Sequence, residues 1–63
     1  MNANRIHTYV KNLSSDARVD IASGHWDEVM TDALYANCGA ETQAEMTEAR
    51  SLATLAAIEL SSI

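Results

Sequence analysis

Sixty-three residues, rich in alanine and without proline, allow one small domain, residues 1–63, with a thin core. Cys38 is the only cysteine, which excludes an intramolecular disulfide and leaves regular helix packing or a partner to supply stability. The net charge of −5 is divided unevenly, +2 over residues 1–18 and −7 over residues 19–63, a balance that repels phosphate backbones.

The composition favours helix, because alanine, leucine, methionine and glutamate lose little on entering one. In "NRIHTYVKNL", Ile6, Tyr9, Val10 and Leu13 stand at i, i+3, i+4 and i+7, which predicts a helix over residues 4–13. "SSDARVDIA" predicts a second over 15–22, with Ser14 or Ser15 as cap and Asp16 in the first turn.

"SGHWDE", Ser23 to Glu28, then admits two courses. Ser23 can cap a new helix whose first turn holds acids, or the helix can run on through Gly24 at a cost of about 1 kcal/mol against alanine. Val19 and Trp26 are seven apart and share a helical face, with Ile21 off it, and a kink or short break near Gly24 is expected. Beyond it, Trp26, Val29, Met30, Ala33 and Leu34 form the apolar stripe of a helix over 25–37.

"NCGAET" is the clearest stop. Asn37 and Gly39 both accept positive φ, and Thr42 with Glu45 has the spacing of a capping box. A last helix over 42–61 follows, its stripe built from Met46, Ala49, Ala53, Ala56, Leu60 and Ile63, with Leu52 and Ala57 alongside. The fold expected is all-α: a small antiparallel helical hairpin turning at residues 37–40, preceded by a shorter N-terminal helix, which dimerisation would make a bundle. In that hairpin Trp26, Met30 and Leu34 face Ala56, Ala53 and Ala49. Leu55 and Ile58 widen the apolar arc of the last helix beyond what one neighbour needs. Either the N-terminal segment or a second chain covers the excess, and a homodimer is expected.

Little in the chain points to catalysis. His25, Glu28 and Asp32 follow one another at near-helical spacing, but His7, His25 and Cys38 lack the spacing of a closed metal site. Cys38 has no base placed by the sequence, and no serine sits in a nucleophile motif. Asp27 and Glu28 point about 100° apart on a helix and do not make an acid–base pair by adjacency. No catalytic residue, metal or other cofactor is expected. Trp26 reads first as core, second as an interface anchor. The acidic residues Asp27, Glu28, Asp32, Glu41, Glu45 and Glu48 are the candidate partner surface. Trp26, Val29, Met30, Ala33, Leu34, Ala49, Leu52, Ala53, Leu55, Ala56, Ile58 and Leu60 are the candidates for core or self-association.

The lone thiol suits a reducing compartment. No apolar run has the length of a membrane span, and "MNANRIHTYVKN" holds no apolar signal core, so a cytoplasmic protein without membrane contact is expected. The stretch "MNANRIHTYVKNLSSDARVDIASGHWDEVMTDALYANCGAE", and with it the whole chain, resembles the small proteins of lambdoid bacteriophages encoded between the exonuclease and excisionase genes of the early leftward operon. The resemblance implies an early phage protein in the cytoplasm of an enteric bacterial host, associated with lytic development over lysogeny and with effects on the host cell cycle. It brings no catalytic or binding residue with it.

The function expected is modulation of a host or phage protein by protein–protein interaction. The alternatives are a helix-turn-helix DNA-binding regulator and an acidic DNA mimic. Against the first, "HWDEVMTDALYAN" presents mostly acids where a recognition helix presents Arg, Lys, Asn or Gln.

Overall fold

The computed structural model of the chain describes residues 1–62. Ile63, the end of the stripe expected on the last helix, lies outside them. Four helices follow one another: α1 (Ala3–Lys11), α2 (Ser15–Ala22), α3 (Glu28–Cys38) and α4 (Gln43–Ser61). The fold is all-α, as the helical periodicity predicts.

Each helix starts on a side chain that accepts from an otherwise unpaired amide. Asn2 Oδ1 accepts from the amides of Asn4 and Arg5 at 3.0 and 3.3 Å. Ser14 Oγ accepts from Ala17 N at 3.2 Å. Asp27 Oδ1 accepts from Met30 N at 2.7 Å. Thr42 and Glu45 complete a capping box: Glu45 N donates to Thr42 Oγ1 at 3.1 Å, and Thr42 N donates to Glu45 Oε1 at 3.2 Å. At the far end of α1, the Arg18 guanidinium donates to the carbonyls of Leu13 and Lys11 at 2.7 and 3.2 Å, closing the turn into α2.

The core is small. Ile6 and Val10 from α1, Ile21 from α2, and Leu34 and Cys38 from α3 meet Ala49, Ala53, Ala56 and Ala57 of α4, with Ala40 from the turn before it. The alanine face lets neighbouring helices approach α4 closely, so the long side chains of α1 and α2 fill the space. α4 accordingly makes its broadest contacts with α2 and α1, and its contact with α3 is narrower. The pair joined by the "NCG" turn is present, but α3 also leans on α1.

The segment around Gly24 departs from the expected course. The chain does break there, yet Ser23 is the C-cap of α2 and not the N-cap of a new helix, and α3 begins only at Glu28, capped by Asp27. Gly24 takes φ +80°, its amide donates to Ile21 O at 2.9 Å, and His25 N donates to Asp20 O at 2.8 Å. These two bonds are those of a glycine-terminated helix end. The helical phase is lost across residues 23–27. Ile21, expected off the buried face, is fully buried, whereas Val19 is 55% exposed. The second stop is as expected: Gly39 takes φ +74°, and the amides of Gly39 and Ala40 both donate to Tyr35 O.

Candidate functional site

The candidate core residues divide. Leu34, Ala49, Ala53 and Ala56 are buried, and Trp26, Met30, Leu52 and Leu60 are partly buried against the core. Ala33 is half-buried. Val29, Leu55 and Ile58 are not core at all: they are 78%, 62% and 47% exposed. The helical stripe puts Val29 inward only on a phase counted from Trp26. Trp26 precedes the helix, and within α3 the buried side is set by Leu34 and Cys38. Leu55 and Ile58 stand at i, i+3 on the side of α4 that α1 and α2 leave uncovered.

The six acids of the candidate partner surface are not equivalent. Glu28, Asp32, Glu41 and Glu48 are exposed. Asp27 and Glu45 are occupied as caps, and Glu45 also accepts from the Glu41 amide at 3.4 Å. The amides of Thr42 and Glu41, with the Thr42 hydroxyl, hold the Glu45 carboxyl below the usual carboxylate range. Glu45 also forms the one ion pair among the described residues, with the Met1 amino group at 3.5 Å.

His7 is exposed on α1 and His25 in the turn before α3, while Cys38 is buried at the end of α3 and its thiol donates to Tyr35 O at 3.9 Å. No group of three or more His, Cys, Asp or Glu side chains among the described residues could hold a metal ion. Tyr9 sits between α1 and α3 and donates its hydroxyl to Met30 O at 3.4 Å. Partial burial, aided by the charge of Asp27, pushes its phenol above the ordinary value. No described helix is long and apolar enough to cross a membrane.

A groove of about 510 Å³ runs between the Gly24–Trp26 turn and α4, lined on the α4 side by Thr47, Arg50, Ser51, Thr54 and Leu55. The Arg50 guanidinium lies over the Trp26 ring, 5.8 Å from its centroid. Sequence reasoning missed this groove. One trace of it was visible: Thr47, Arg50 and Thr54 share an edge of α4 by their i, i+3, i+7 spacing. What completes the groove is the turn at Trp26, which no local pattern brings to α4.

No protein-family model, curated protein or solved structure matches this chain.

Proposed function

We propose that the chain is a non-enzymatic interaction protein, an early phage accessory protein that modulates a host or phage protein in favour of lytic development. The phage setting rests on the resemblance of the sequence. The observation that carries the interaction is the apolar surface left outside a closed core. Val29, Leu55 and Ile58 are exposed although the alanine face of α4 is fully covered. Leu55 and Ile58 adjoin each other on a long, well-capped helix, the kind of rigid surface on which a partner helix or segment docks.

Capture from enteric host lysate, with and without phage infection, followed by mass spectrometry tests this reading. A specifically retained protein is expected, together with no salt-dependent binding to duplex DNA. Sequence-specific DNA binding that survives physiological salt overturns it. Self-pairing through the same surface is the second reading, favoured by the adjacency of Leu55 and Ile58. Sedimentation equilibrium at tens of micromolar (on the order of a weak dimer constant) tests it, and a monomer throughout rejects it.

A further inference from the structure

Resting on that interaction reading, we infer that the Trp26–Arg50 groove is a docking site for a partner segment that carries a carboxylate beside a large apolar side chain.

Arg50 is the only cation among residues 19–63, against eight acids. It stands on α4 with Met46, Thr47, Ala53 and Thr54 three and four residues away, so no carboxylate occupies a position that would face it along the helix. Among the described residues it has no ion-pair partner. Its guanidinium lies 5.8 Å from the centroid of the Trp26 ring and donates to no side chain or carbonyl among the described residues, which leaves its fork of N–H donors for an external acceptor. The groove contains no acid, although acids make up nine of the chain's residues. Its remaining lining is hydroxyls from Thr47, Ser51 and Thr54, and the exposed side chain of Leu55. Thr47 and Ser51 form no side-chain hydrogen bond within the described residues, so their hydroxyls are free to donate, whereas Thr54 Oγ1 already donates to Arg50 O at 2.9 Å. Guanidinium and hydroxyls match a carboxylate, and the Trp26 ring and Leu55 match the apolar neighbour.

Trp26 is the only tryptophan and lines the groove, so its emission reports occupancy. The test titrates the full chain with three tryptophan-free peptides of one length, with a central leucine–glutamate–leucine segment or with glutamine or lysine replacing the glutamate. The glutamate peptide should change Trp26 emission saturably and bind about tenfold more tightly than the glutamine peptide, the effect of one charge-assisted contact. Arg50→Gln should erase that preference with the helical circular dichroism unchanged, and Arg50→Lys, which keeps charge without the fork, should fall between. Equal binding of the glutamate and glutamine peptides, no saturable change, preference for lysine, or indifference to Arg50→Gln overturns the site. So does a Trp26 emission that changes with protein concentration alone, since a second copy then occupies the groove. Lysate capture that persists in Arg50→Gln removes the groove and leaves the interaction reading standing. Peptide binding without any captured protein does the reverse.

Discussion

Replacing Gly24 with alanine separates two ways of building the middle of this chain, because they predict opposite signs. A helix running through Gly24 would gain about 1 kcal/mol from alanine. The structure instead puts Gly24 at φ +80°, where a side chain meets its own backbone. Nothing lies within 4 Å of a Cβ added there, so neighbours contribute no clash and the cost is that of the left-handed conformation alone. That cost is about 1–2 kcal/mol, less roughly 0.4–1 kcal/mol because alanine also narrows the unfolded ensemble. A net loss of about 1 kcal/mol matters here, since a chain of this length has a total stability of only roughly 3–9 kcal/mol. Thermal unfolding followed by circular dichroism should show a midpoint lowered by about 4–8 °C. Gly24→Asn, which tolerates the conformation better, should lose less. A midpoint raised by Gly24→Ala would refute the break and restore the continuous helix.

Ile21→Val should lower the urea-unfolding free energy by about 0.5–1.5 kcal/mol because Ile21 is fully buried, whereas Val19→Ala on the exposed side should change it by less than about 0.5 kcal/mol; the reverse order would return Val19 to the core. Thr42→Ala should cost about 1 kcal/mol through loss of the α4 cap. Because the folded state holds the Glu45 carboxyl below its ordinary value, its contribution is present above the unfolded carboxylate pKa and disappears as pH falls through the lower folded one; Glu45→Gln should flatten that acid limb, and an unchanged limb would reject the assignment. For Tyr9 the shift is upward, so its contribution is complete below the ordinary phenol range and is lost as pH rises through the folded value; Tyr9→Phe should remove that alkaline loss, which denaturation midpoints across alkaline pH measure.

The helices were legible because each carries its own marks. Gly39, Thr42 and Glu45 spell a stop and a start, although Asn37 stays helical and takes no positive φ, and Ile6, Tyr9, Val10 and Leu13 trace a face that the structure turns inward. The relation between helices was less legible, for two physical reasons. Periodicity holds only while the backbone stays helical, so the non-helical residues 23–27 erase the phase linking Val19 to Trp26. A stripe of alanines also names no particular neighbour. Ala49, Ala53, Ala56 and Ala57 form a surface against which α1, α2 or α3 could lie equally well by pattern, and the burial of Ile6, Val10 and Ile21 decides among them.

The candidate surface shows the same limit with a consequence for how contact is mapped. Counting charges treats six acids alike, but hydrogen bonds do not. Asp27 holds the start of α3 and Glu45 the start of α4, while Glu28, Asp32, Glu41 and Glu48 have exposed carboxylates with no such duty. In a protein whose largest fully buried side chains are Ile6, Val10, Ile21 and Leu34, losing a cap removes a sizeable share of the stability. Charge reversal at Asp27 or Glu45 therefore weakens the fold itself, and any lost capture would report unfolding. Reversal at Glu28, Asp32, Glu41 and Glu48 leaves the caps in place. If those four together leave capture and helical content intact, the acidic face is not the contact, and the exposed apolar residues Val29, Leu55 and Ile58 with the Trp26–Arg50 groove are the surfaces to substitute next.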